Sequence, residues 1–174
     1  CVLALGTGLS LTPVYAELIR KHREEKLSFK NVVVFNAYEY FPLNPDSKNS
    51  SLNQLKDRFL AHVDIDAQNV FSPDGTISQD AVQEYCRLYE QRIATFGGID
   101  VCLLGIGRIG NIATNEPGSG IASSSRLMLI DATSRQEMTM SFGTQEIVPP
   151  CSITMGVQTI LSARKIFLTA WGDE

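Results

Sequence analysis

Short apolar runs alternate along this chain with stretches of helical period, and that order limits the fold more than any other feature. Residues 1–5, 32–35, 101–104, 127–130 and 166–171 read as strands. Residues 12–25, 51–63, 78–96 and 153–163 read as helices. In the first helix Val14, Leu18 and Ile19 share one face, while Arg20, Lys21, Arg23 and Glu24 face water. Ser78 suits a helix N-cap, Gly97-Gly98 a helix stop, and Ser72-Pro73-Asp74-Gly75 a turn. A β-α-β-α order implies an α/β fold: a mostly parallel sheet, helices on both faces, right-handed crossovers. Strands buried on both faces carry continuous apolar runs, as here. With no repeat and no linker, residues 1–174 read as a single domain.

At 174 residues the chain can bury a substantial core. Hydrophobic residues at 44% and charged residues at 20% fit a soluble globular protein. The formal charge of −4 supplies no basic field for nucleic acid or anionic lipid, so a bound phosphate must be held locally. No apolar run approaches the roughly 18 residues that span a bilayer, and no signal peptide pattern is seen. Cys1, Cys86, Cys102 and Cys151 are scattered without a C-x-x-C pair, which points to free thiols in a reducing cytoplasm. Neither a metal nor a cofactor is expected. The chain opens inside an apparent strand without Met and stops just after another. It is therefore expected to be a piece of a longer polypeptide, truncated at both ends.

Two glycine-rich loops follow strands. Gly6-Thr7-Gly8-Leu9-Ser10 leads from the first strand into the first helix, where backbone N–H groups and the hydroxyls of Thr7 and Ser10 could cradle a phosphate. A tight strand-to-helix turn is an equal reading. The sequence is neither a complete G-x-G-x-x-G nor a Walker A. The second loop, 105–117, packs Gly105, Gly107, Gly110, Asn111, Asn115 and Glu116 just past a strand, where open α/β sheets bind ligands. Here Gly107, Arg108 and Asn111 are candidate substrate contacts, and Glu116 a general acid or base.

Tyr38-Glu39-Tyr40 follows the second strand, and strand alternation puts Tyr38 and Tyr40 on one side with Glu39 on the other. Glu39 reads either as a proton-abstracting group or as a solvated carboxylate beside packed rings. His22 lies in a charged helix face and His62 at a helix end, so nucleophile-imidazole and metal schemes lack a positioned ring.

Several segments in order resemble the glucosamine-6-phosphate deaminase/isomerase family, related to the 6-phosphogluconolactonases. Leu3 to Ser10 is similar to the family's L-G-L-P-T-G-G-T, and Asn31 to Tyr40 to N-V-V-x-F-N-M-D-E-Y. His62-Val63-Asp64-Ile65 matches H-V-D-I, and Gly105 to Pro117 parallels G-x-G-x-D-G-H-I-A-F-N-E-P. Ser125-Arg126, Thr133-Ser134-Arg135 and Ile153-Thr154-Met155-Gly156-Val157 continue the match. The resemblance implies a Rossmann-like three-layer α/β/α sandwich extending past both ends of this chain. It also implies a phosphate at Gly6, Thr7, Gly8, Leu9 and Ser10.

The departures fall on the chemistry. Where the family carries the aspartate that moves a proton between C1 and C2, this chain has Tyr38. Where the family's aspartate and histidine assist ring opening, it has Ile109 and Asn111. Glu39 and Glu116 are retained. One of the family's basic phosphate ligands falls around Thr139-Met140 and another past Glu174. Losing a general acid or base typically costs about 10²–10⁴ in rate.

Three functions stay open. The first is an isomerase or deaminase acting on an amino-sugar phosphate, with Glu39 or Glu116 as base, Tyr38 as electrophile and Asn111 as sugar ligand. The second is a catalytically degenerate domain that binds a sugar phosphate or regulates a partner. The third and weaker is a sugar-phosphate lactone hydrolase. The expected partner is a small-molecule sugar phosphate, with a homo-oligomer or a fused second domain as further expectations.

Overall fold

A computed structural model describes residues 1–143 and 147–171. β1 (Val2–Leu5), β2 (Val33–Asn36), β4 (Val70–Phe71), β5 (Val101–Gly105) and β8 (Lys165–Thr169) form one sheet in the order β4-β2-β1-β5-β8. Every pairing in it is parallel. Its residues alternate between two cores, as a period of two requires. Leu3, Leu5, Val34 and Leu103 pack with Tyr15 of α1 (Thr12–Glu25) and Leu55 of α2 (Ser51–Arg58). Val2, Ala4, Val33, Phe35 and Cys102 pack on the other face with Tyr89 and Ile93 of α3 (Val82–Thr95) and Ile160 of α5 (Val157–Leu161). The expected helix–sheet–helix layering is therefore present, with the inner strands buried on both faces.

A second sheet departs from the parallel expectation. β3 (Tyr38–Phe41), β6 (Arg126–Leu129) and β7 (Cys151–Thr154) run antiparallel in the order β3-β7-β6. The apolar run expected as a strand near 127–130 belongs here. Residues 153–154, expected to open a helix, are the end of β7, and α5 begins only after Gly156. The expected helix at 51–63 is α2 followed by a separate 3-10 turn, Leu60–His62. α4 (Ala132–Phe142) had no counterpart in the sequence reading. Ala37 joins the two sheets: its N–H donates to the Leu5 carbonyl at 2.9 Å and its carbonyl accepts from Met155 N–H at 2.8 Å. That junction lies at the carboxyl ends of β1 and β2.

Candidate functional site

The first glycine loop is fastened by its carbonyls. Tyr15, one turn into α1, donates its hydroxyl to the Gly6 carbonyl at 2.5 Å. Arg58, the last residue of α2, donates from Nη1 to the Thr7 carbonyl. Residues 8–10 then stand at the opening of a 3-10 turn running into α1, where unspent N–H groups suit an anion. The Thr7 hydroxyl lies 2.7 Å from the Tyr38 hydroxyl and 3.3 Å from that of Ser51.

The second loop folds back on itself beyond β5. Gly107 N–H donates to the Asn111 carbonyl at 2.8 Å, and Gly110 N–H to the Gly107 carbonyl at 2.9 Å. A side chain at residue 107 would displace the Asn111 amide, and Gly110 has φ +87°, a conformation that favours glycine. Ala113 holds φ +53°, a strained conformation for a residue with a Cβ. Its surroundings enforce it: Asn115 Nδ2 donates to the Met155 carbonyl at 2.8 Å and to the Ile112 carbonyl at 3.1 Å. The Thr114 hydroxyl bonds that of Ser152 on β7.

The two loops meet across one crevice of about 430 Å³. Gly6, Thr7, Gly8, Leu9 and Ser10 line one side; Gly107, Asn111 and Glu116 line the other. Tyr38 and Tyr40 contribute from β3, and Ser134, Glu137 and Met138 from α4. Sequence reasoning missed the α4 group. Its signal was Asp131, which caps α4 by accepting from Thr133 N–H at 2.7 Å. A larger hollow of about 890 Å³ between α3 and α5 contains none of the expected site residues.

Glu116 is 7% exposed. Its Oε1 accepts from Asp131 N–H at 3.1 Å, while Oε2 has no partner among the described residues. A buried carboxylate oxygen left unpaired is costly, so this atom is an unspent acceptor on a residue that lines the crevice. Burial pushes the Tyr40 phenol well above its ordinary value, with Tyr38 adding to the shift, so Tyr40 stays a neutral donor.

Two expected site residues sit elsewhere. Glu39, read as a possible base, is 4% exposed and does not line the crevice. Its carboxylate accepts from Tyr40 N–H at 2.9 Å, Ser51 N–H at 2.8 Å, Leu52 N–H at 3.1 Å and the Ser50 hydroxyl at 2.7 Å. Strand alternation turned it away from the tyrosines and into the first turn of α2, whose N–H groups and dipole favour an anion. Arg108 likewise does not line the crevice; it lies 3.8 Å from Glu137 with 69% of its side chain exposed. Ile109 is half-buried and also off the wall. His22 and His62 bond the carbonyls of Leu27 and Asp57, away from the crevice. Among the described residues no His, Cys, Asp and Glu group could hold a metal ion, and no helix is long and apolar enough to cross a membrane.

Comparison with known proteins places this geometry. The family described as glucosamine-6-phosphate isomerases/6-phosphogluconolactonase matches residues 1–174. A glucosamine-6-phosphate deaminase-like protein of Bacteroides thetaiotaomicron is 62% identical over 173 residues, covering 99% of this chain and 26% of that protein. Glucosamine-6-phosphate deaminase 1 of Bacillus subtilis is 39% identical over 171 residues, covering 98% of this chain and 70% of that enzyme. The chain thus spans about a quarter of the first relative and most of the second. Among solved structures, a monomeric glucosamine-6-phosphate deaminase superposes with a TM-score of 0.90 at 39% identity, over 96% of this chain and 68% of that one. A 6-phosphogluconolactonase of Thermotoga maritima shares the fold, with a TM-score of 0.70 at 17% identity, over 96% of this chain and 67% of that one.

Proposed function

The chain belongs to the family of glucosamine-6-phosphate isomerases and 6-phosphogluconolactonases, and from that premise we propose that it binds and acts on an amino-sugar phosphate in the crevice between its two glycine loops. One observation carries the reading: the first loop and Glu116, 106 to 110 positions apart in sequence, line the same cleft. The anionic group lies at residues 6–10, and the hexose lies toward Asn111 and Glu116. Glu116 is the group positioned to exchange a proton, because it lines the cleft and its Oε2 has no partner among the described residues. Asn111 donates or accepts a hydrogen bond but cannot carry a proton at neutral pH. The Tyr38 hydroxyl is held beside the crevice by its hydrogen bond with that of Thr7, 2.7 Å away.

The test is turnover of glucosamine 6-phosphate by the full-length protein. Glu116→Gln keeps the shape and removes the proton acceptor, and the expected loss is about 10²–10⁴ in rate. Turnover equal in wild type and Glu116→Gln would remove Glu116 from the chemistry. A second reading is a domain that holds the sugar phosphate without turning it over. The burial of Glu39 under α2 favours it, since one retained carboxylate is thereby withdrawn from the crevice. Micromolar binding without turnover would select it.

A further inference from the structure

The crevice wall has a charge problem. Its acidic side chains are Glu116 and Glu137, and no Lys or Arg lines it among the described residues. A phosphate at the first loop would gain its N–H groups but no counter-charge. The cation stands on the other side of the same loop. A second chamber of about 410 Å³ shares Thr7, Gly8, Leu9, Tyr38 and Tyr40 with the crevice and adds Lys48 and Arg58, along with Asp57.

Arg58 is half-buried and fixed in place by its bond to the Thr7 carbonyl. A guanidinium has five N–H donors, and this bond accounts for one. No carboxylate lies within ion-pair distance of Arg58 among the described residues. A favourable place at the C-terminus of α2 explains the charge, but not a fork tied to the ligand loop with donors to spare. Planar guanidinium groups suit phosphate because two N–H groups meet two oxygens.

We propose that Arg58, with Lys48 lining the same chamber, is the cationic subsite for the acidic group of the ligand. The phosphate then sits on the α2 side of the first loop, and the hexose reaches past Tyr38 toward Glu116. This rests on the amino-sugar phosphate reading above and adds to it the residue that supplies the counter-charge.

The experiment is calorimetric titration at low ionic strength with three probes: inorganic phosphate, glucosamine and glucosamine 6-phosphate. Wild type is expected to bind the two phosphate-bearing probes. Arg58→Gln weakens both by about tenfold to a hundredfold, the loss of one charge-assisted contact, and leaves glucosamine unaffected. Arg58→Lys falls between, and Lys56→Gln, an equal change of charge on the exposed side of α2, has no effect. Phosphate binding within twofold of wild type in Arg58→Gln overturns the proposal and leaves the crevice reading intact. Phosphate bound through Arg58, with glucosamine 6-phosphate no tighter than phosphate alone, supports the subsite and sinks the amino-sugar reading. No binding of either phosphate by wild type overturns both. Should thermal melts show Arg58→Gln unfolded, exposed Lys48 decides instead: Lys48→Gln binding phosphate within twofold of wild type counts against the proposal.

Discussion

Replacing Glu39 by Gln separates a structural carboxylate from a catalytic one. The native group accepts four hydrogen bonds, three from backbone N–H groups, at 4% exposure. Glutamine keeps one oxygen and therefore keeps the pair of bonds at one side, while its NH₂ faces the donors on the other. If the amide replaces Oε2, Ser50 can rotate its hydroxyl to accept, but Leu52 N–H cannot, and it becomes a buried orphan. That orphan costs about 1–3 kcal/mol, and loss of the negative charge at the start of α2 costs about 0.3–1 kcal/mol more. The sum is roughly 1–4 kcal/mol, which for a chain of this size lowers the melting temperature by about 3–16 °C. Thermal melts by circular dichroism and urea titrations read this directly. Ligand affinity, measured below the new midpoint, should stay within a few-fold of wild type. A melt unchanged within about 1 °C, with turnover abolished, would refute the argument and return Glu39 to the chemistry.

Other outcomes follow from the same geometry. Gly107→Ala pushes the Asn111 side chain off the crevice wall; titration should show sugar-phosphate affinity down about tenfold with little change in melting, as expected for a misplaced contact. Asn115→Ala removes one bond inside the second loop, to the Ile112 carbonyl, and one from that loop to the Met155 carbonyl just past β7, and should cost about 1–3 kcal/mol in urea unfolding. Burial raises the thiol of Cys86 to about 11 and that of Cys102 to about 12. The folded state thus holds protons that unfolded thiols release near pH 9, so stability is complete below that value and is lost as pH rises toward 12. The urea midpoint should fall across this window, and Cys86→Ala with Cys102→Ala should flatten part of the fall. At pH 8, iodoacetamide followed by mass spectrometry should label exposed Cys1 well before either buried thiol.

The parallel sheet was legible in the sequence because its inner strands are apolar on both faces, as Leu3-Ala4-Leu5 and Val33-Val34-Phe35 are. β7 was not. Ile153-Thr154-Met155 runs straight into the helical Val157–Leu161, and a short apolar run before a helix cannot be told from that helix by period alone. α4 was hidden for another reason: its polar and apolar residues do not separate onto faces, so only the Asp131 cap marked it. At the site, alternation placed Tyr38 and Tyr40 together and Glu39 opposite. What Glu39 meets there comes from residues 50–52, at the start of another element, and no local pattern discloses it. Arg58 was silent for the same reason, since its bond to Thr7 spans 51 positions.

A crystal structure of the protein soaked with glucosamine 6-phosphate tests the central claim most directly. The account predicts the hexose between the two glycine loops, within hydrogen-bond reach of Glu116, and the phosphate oxygens against residues 8–10 at the α2 side of the first loop. An empty crevice at saturating ligand, or the sugar phosphate seated in the hollow between α3 and α5, would contradict it.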